Sequence, residues 1–261
     1  SLSTDVGVKV AFAPHFGVAY DVTRRIHLAG TLHTIERFDI VSGISTFLPN
    51  GDKQTATRTA VHDYMPVRIG FGASADLISD GKDEPTDTNE LSLHANAVLG
   101  LWSSYIDRQD DRPLSDYAWK NTVSVGFGVR HTYGHLRTFL DGMFVPTPVP
   151  LQTGRTNYVD NDRISGSAGF DYDFKLFDVH FRAGLSGQLH VLIERYQRKL
   201  DPTTQANASQ LVRDEFPDDA VDSRGRPIAN AQGLQTNNPG WPGFSSMGFL
   251  YGGAINLAVL L

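Results

Sequence analysis

The sequence has no cysteine, no long apolar run and no excess of positive charge. Without cysteine the chain forms no disulfide, no thiolate metal site and no cysteine nucleophile. No stretch approaches the ~18 consecutive apolar residues that a membrane helix requires, and residues 1–5 have neither the basic nor the apolar part of a signal peptide. The 23 Lys and Arg stand against 29 Asp and Glu, a net charge of -6 without a basic run, which argues against nucleic acid as a partner.

What is present has an all-β character. The chain contains 25 Gly, 15 Phe, 9 Tyr and 3 Trp, and aromatic residues favour strands. Apolar and polar residues alternate in 177–193, which places them on opposite faces of a strand. The same alternation recurs in 26–37, 67–77, 91–102, 119–131 and 247–261.

The lengths of the strands and of their connections distinguish two all-β folds whose strands both alternate apolar and polar residues. A soluble β-sandwich uses strands of ~5–6 residues, whereas tilted membrane strands are longer. Short connections near 21–24, 133–135 and 175–177 alternate with long ones at 43–53, 107–117, 146–159 and 199–244. Short turns at one side and long loops at the other are typical of an outer-membrane barrel. We therefore predict a transmembrane antiparallel up-and-down β-barrel, a single domain over 1–261 with 199–244 as a long extracellular loop, and keep the sandwich as the alternative.

The alternating segments predict nine strands. Pro66 lies inside the third, where a residue without an N–H predicts a bulge or kink rather than a turn. Closed single-chain bacterial barrels have an even number of strands, so strands one and nine need further pairing partners. The predicted strands are 12–22, 25–42, 54–78, 90–106, 117–133, 135–146, 160–175, 177–197 and 245–261.

Several short segments of the sequence resemble the FadL family of outer-membrane transport proteins. The most specific are Pro-Thr-Pro-Val-Pro at 146–150 and the following 154–163, with Asn-Asn-Pro-Gly-Trp-Pro-Gly at 237–243 before a glycine-rich last strand. The segments 20–23 and 62–66 look like the same family. The resemblance implies a 14-stranded barrel with an N-terminal hatch inside it, which imports hydrophobic molecules such as long-chain fatty acids across the outer membrane of Gram-negative bacteria.

The nine predicted strands would match the family's strands six to fourteen. The hatch and the first five strands are then absent, and Leu261 stands where such barrels usually end in an aromatic residue. Two explanations remain open at this stage. The sequence is a fragment of a longer chain, or a second polypeptide supplies the missing strands of a split barrel.

Polar side chains on the predicted inner face are candidate ligand-binding residues. His27, His33, His94, His180 and His190 all fall on that face without a metal-ligand spacing, so we predict a polar lining and no metal site. We expect His180, Arg182, Asp178 and Glu194 to form an ion-pair network with Arg130 and Lys120. That network braces the lumen or, through Arg130, Arg182 and His180, binds a carboxylate headgroup.

Apolar residues of the long loop are the other candidates. In the resembled family such a surface first captures the hydrophobic ligand, and self-packing of the loop is the alternative. Eight aromatic residues near predicted strand ends, Trp102, Tyr105, Trp119, Tyr158, Tyr172, Trp241, Phe244 and Tyr251, predict an interfacial girdle. The loop candidates are Leu211, Val212, Phe216, Trp241 and Phe244.

The sequence therefore predicts passive outer-membrane transport of a hydrophobic small molecule, without catalysis or cofactor. Its partners would be outer-membrane lipid, lipopolysaccharide and the ligand, with a second polypeptide if the barrel is split. The competing function is a structural or docking barrel subunit of a larger envelope complex. An enzyme ranks third, since the sequence has no Gly-x-Ser-x-Gly nucleophile motif and no catalytic residue is assigned.

Overall fold

The structure, a computed structural model, describes residues 2–47, 53–80, 88–108, 110–153, 156–199, 240 and 242–260. These residues form β-strands and two single-turn 3₁₀ helices, Trp102–Ser104 and Ser115–Tyr117. No helix in this part of the chain has the length and hydropathy to cross a bilayer. The strands are β1 (Leu2–Val10), β2 (His15–Asp21), β3 (Ile26–His33), β4 (Glu36–Phe47), β5 (Lys53–Met65), β6 (Arg68–Asp80), β7 (Asn89–Gly100), β8 (Thr122–Tyr133), β9 (Leu136–Val145), β10 (Arg163–Leu176), β11 (Val179–Arg198) and β12 (Gly243–Leu260).

The strands form two antiparallel sheets. The larger has nine strands in the order β12-β11-β10-β9-β8-β7-β6-β3-β2, and the smaller has three in the order β1-β4-β5. The predicted all-β antiparallel class is confirmed. Within the described residues neither sheet closes on itself, and β2 and β12 are the edges of the larger one.

The small sheet is the continuation of three strands of the large one. β1 runs on into β2, β3 into β4 and β5 into β6, and all three are interrupted at the same level, where His15 pairs with His33 and His33 with Arg68. Pro14 lies in the first gap and Pro66 in the third. Because proline cannot donate to a ladder, the two prolines separate the sheets. Where the sequence predicts a bulge or kink within one strand at Pro66, the strand is interrupted.

The nine predicted strands correspond to the nine strands of the large sheet, with ends that differ by a few residues. The predicted second and third strands, 25–42 and 54–78, each contain one of the gaps and run on into β4 and β5. The predicted link 43–53 is therefore mostly strand, since β4 continues to Phe47 and β5 begins at Lys53. β1 lies before the first predicted strand and was not expected.

Short turns and long loops lie at opposite ends of the large sheet. Two-residue turns join β8 to β9 and β10 to β11, and a four-residue turn at 22–25 joins β2 to β3. At the opposite end, 101–121 joins β7 to β8 and 146–162 joins β9 to β10. The predicted difference in length between the connections at the two ends of the sheet is confirmed in these segments.

The apolar face of the large sheet is its exposed face. Phe127 is 55%, Leu185 50% and Ile255 86% exposed, each on a different strand. Among the described hydrophobic residues, only Val61 and Val149 count as buried. A soluble sandwich would bury this face between two sheets. The distribution is therefore inverted relative to a soluble all-β domain.

Candidate functional site

The polar face of the large sheet surrounds a cavity of about 700 Å³. Its lining residues come from eight strands, β2, β3 and β6 to β11. Strands so far apart in the sheet order can share one cavity only if the sheet curves around it. This face is therefore concave, and the exposed apolar face is convex.

Small residues leave the space that the cavity occupies. A Cβ placed on Gly72 would have no atom nearer than 3.9 Å, so the wall is open there. At Gly126 and Gly128 the space is already used, because the side chains of Asn96 and Asp141 lie across these glycines. Glycine on β8 thus lets polar side chains of β7 and β9 lean against the sheet.

The two arginines predicted to bind a carboxylate headgroup already have carboxylate partners. Arg130 donates to both oxygens of Asp141 at 2.7 and 3.1 Å. Arg182 donates to both oxygens of Asp173 at 2.6 and 3.1 Å. A ligand carboxylate would have to compete with these pairs. His180, the third residue of that prediction, is exposed near the turn end of β11, opposite Lys175.

The predicted single ion-pair network is instead a set of local pairs. Asp178 pairs with Lys175 at 2.8 Å within the turn. Lys120 donates its backbone N–H to the carbonyl of Pro148 among the loops. Glu194 lies exposed at a register shift between β11 and β12. Arg130 and Arg182 thus pair with carboxylates on neighbouring strands rather than with residues of one strand.

The predicted inward direction of the histidines agrees with the register. His27, His94 and His190 line the cavity. His27 lies between two carboxylates, 2.6 Å from Asp21 and 3.4 Å from Asp76. His190 and Ser165 are hydrogen-bonded at 2.6 Å across β10 and β11. These contacts fix the rings against the wall of the cavity.

The predicted loop surface for ligand capture is mostly outside the described residues, which include only Phe244 of the five candidates. Phe244 is half-buried in β12, and the Lys199 ammonium lies 5.4 Å from the centre of its ring. This contact joins the two ends of the long connection. Leu211, Val212, Phe216 and Trp241 lie outside the described residues.

Four of the aromatic residues predicted to form an interfacial girdle pack on one another instead. Tyr105 stacks on Trp119 with ring centres 3.6 Å apart and planes 8° apart. Tyr158 meets both rings edge-on, and Trp102 lies 5.5 Å from Trp119. Burial in this cluster raises the pKa of the Tyr105 phenol. The cluster closes the 101–121 loop onto the 146–162 loop rather than facing outward.

The 146–162 loop is held against β11 and β12 by buried polar side chains, of which the sequence singled out neither Gln152 nor Gln197. The Asn161 amide donates to the carbonyls of Ile193 and Ser246 at 2.8 and 2.7 Å, at the register shift between the two strands. Gln152, fully buried, donates its N–H to the side-chain carbonyl of Gln197 at 2.8 Å. The loop is thus an ordered part of the wall.

Comparisons of the chain with protein-family models, curated proteins and solved structures find no match. Functional inference therefore rests on three features of the described residues. These are the convex apolar face, the cavity on the concave polar face, and the unpaired edges of the large sheet.

Proposed function

We propose that the chain forms part of the wall of a FadL-type β-barrel in the outer membrane of a Gram-negative bacterium. Hydrophobic small molecules such as long-chain fatty acids would pass through it passively, without catalysis or cofactor. The observation that carries this proposal is the inverted distribution of side chains. An apolar convex face lies outside, and a polar concave face encloses a cavity.

Lipid is the solvent that suits the convex face. Soluble monomers rarely expose contiguous apolar patches beyond a few hundred Å², yet β8, β11 and β12 each expose large apolar side chains at alternate positions. Removing such surface from water contributes about 25 cal/mol per Å². Acyl chains of outer-membrane lipid and lipopolysaccharide would cover this face without any partner protein.

The cavity suits a small ligand that has an apolar body. Ligand pockets commonly measure ~300–1,000 Å³, and the volume of about 700 Å³ falls within that range. Ala29 and Met143 offer apolar contacts in the cavity, and the paired Arg130 and Asp141 offer polar ones. A lipophile that the cavity shields from water can move through it by diffusion without tight binding.

Flux through the cavity tests transport. In lipid vesicles that carry the protein as purified from membranes, Gly72→Trp should lower the uptake of a fluorescent long-chain fatty acid several-fold, since the new ring enters open cavity space. Gly142→Trp is the matched control. Gly142 lies next to the inward Asp141 in β9, so its Cβ points to the convex face, where no atom lies within 4 Å. Equal flux in both variants and the wild type would exclude transport through this cavity.

The unpaired edges favour a second candidate function, a docking barrel subunit of an envelope complex. β12 is an 18-residue edge strand, and its outer neighbour is missing within the described residues. Exposed strand edges are templates for pairing with another chain. Under this hypothesis a photo-crosslinker at Ile255 captures a different polypeptide in the membrane. Intact mass measurement of the purified sample then shows two chains. Capture of a segment of the same chain would support a single-chain transporter.

A further inference from the structure

We propose that His15, His33 and Glu36 bind one divalent transition-metal ion, with Zn²⁺ as the best match. One ring nitrogen of each histidine and one carboxylate oxygen of Glu36 lie within 4.8 Å of one another. The three residues have no local ligand spacing in the sequence, from which no metal site was predicted. The strand register brings them together.

The gap between the two sheets creates the cluster. His15 opens β2 and pairs directly with His33, the last residue of β3, so both rings lie on the same face. The chain then crosses Thr34 and Ile35 and returns Glu36 as the first residue of β4. Two imidazoles from neighbouring strands and a carboxylate from beyond the gap thus converge on one point.

The separations are close to those of a metal site. Ligand atoms at ~2.0–2.1 Å from a tetrahedral Zn²⁺ lie roughly 3.3 Å apart. His15 Nε2 and Glu36 Oε1 are already 3.2 Å apart, and the two imidazole ring centres are 4.2 Å apart. Small side-chain rotations would bring the third ligand to the same distance.

An unsatisfied atom in the cluster also points to a ligand. His33 Nδ1 is buried and has no hydrogen-bond partner within the described part of the chain. A buried polar atom normally has a partner, since leaving it without one costs about 1–3 kcal/mol. Coordination to an ion by one ring nitrogen, with reorientation of the ring, would remove this cost.

Arg68 is the charged group that faces the cluster from β6. Its Nη2 donates to Glu36 Oε1 at 2.6 Å, and it pairs in register with His33. Partners of this kind orient a ligating carboxylate, and Glu36 Oε1 keeps a second lone pair with which it can coordinate an ion. Two imidazoles and one carboxylate therefore select Zn²⁺ over Mg²⁺ or Ca²⁺, which prefer oxygen ligands.

The binding test uses the full chain, purified without a polyhistidine tag and titrated with zinc chloride by calorimetry. The wild type should bind one Zn²⁺, while magnesium chloride should give no binding. His33→Ala and Glu36→Gln should each weaken the affinity at least ~10-fold, since second-shell losses alone cost that much. His131→Ala, which changes a β8 histidine outside the cluster, is the matched control and should bind as the wild type.

Two further readouts keep the test decisive if a variant folds poorly. Circular dichroism checks that each variant keeps the β-sheet spectrum. Co²⁺ added to the wild type should give the visible absorption of a nitrogen- and oxygen-ligated ion. Absence of Zn²⁺ binding in the wild type, or equal binding in folded His33→Ala, would overturn the proposal.

Discussion

The guanidinium of Arg182 on β11 holds the carboxylate of Asp173 on β10 through two hydrogen bonds of 2.6 and 3.1 Å. Arg137 on β9 approaches the same carboxylate at 3.3 Å. Three adjacent strands are thereby joined on the concave face near the turn end. Arg130 and Asp141 repeat the arrangement across β8 and β9. Bidentate, charge-assisted hydrogen bonds of this kind are stronger than bonds between neutral groups.

Removing the shared carboxylate should weaken the wall. Asp173→Asn leaves Arg182 and Arg137 facing each other without the anion, so we expect the free energy of unfolding to fall by about 1 kcal/mol. Denaturant unfolding in detergent measures the difference. Lys175→Gln is the control, because its partner Asp178 is 95% exposed and the pair should contribute little. An equal loss in both variants would contradict the bracing role of Asp173.

The turn between β10 and β11 contains a strained aromatic residue. Phe177 has φ 48° and is 90% exposed, so its Cβ crowds the backbone while its ring packs on little. Phe177→Gly should stabilise the protein by about 0.5–1 kcal/mol, the relief of strain less the entropy of glycine. Phe177→Ala keeps the Cβ and should give no gain. A loss of stability in Phe177→Gly would show that the exposed ring makes a contact of its own.

Asn161 should be among the most sensitive polar residues of the loops. Its buried amide satisfies the carbonyls of Ile193 and Ser246 where the β11–β12 ladder is interrupted. Asn161→Ala leaves both carbonyls without this donor, and we expect a cost of about 2–3 kcal/mol. Hydrogen exchange should also rise in 243–248. Asn121→Ala, which removes one acceptor from an exposed backbone N–H, serves as the control and should cost far less.

The aromatic cluster predicts a loss of stability at alkaline pH. Because burial raises the pKa of Tyr105 above its ordinary value of 10.0, the folded state keeps the phenol proton at a pH where the unfolded chain releases it. The contribution of Tyr105 is therefore complete below about pH 10 and falls as the pH rises above that value. The unfolding free energy of the wild type should drop more steeply above about pH 10 than that of Tyr105→Phe. Parallel pH profiles would contradict the burial of this phenol.

The sequence predicted the features that depend on neighbours along the chain. Alternation in 177–193 assigned Leu185 and Ser186 to opposite faces, and turn chemistry placed the short connections at one end. Pro66 indicated an irregularity at its own position, because a residue without an N–H interrupts a ladder of hydrogen bonds. These are local properties, so they can be recognised without knowing the pairing.

What the sequence did not show depends on register. Asp173 forms an ion pair with Arg182 because these two residues lie opposite each other in the register of β10 and β11. A register shift of two residues would give Asp173 another partner. Trp119 and Tyr105 stack because two loops meet, which no periodicity records. His15, His33 and Glu36 converge only after the strands are interrupted at one level. Long-range pairing therefore assembles the candidate sites from residues that look unremarkable one by one.

The most direct test asks which solvent each face of β11 contacts. The sequence has no cysteine, so Leu185→Cys and Ser186→Cys each accept one fluorophore without background. In lipid bilayers, brominated acyl chains should quench the probe at 185, and aqueous iodide should quench the probe at 186, because neighbours in a strand point to opposite faces. Quenching of both probes by iodide alone would contradict a lipid-facing convex surface and with it the proposed membrane wall.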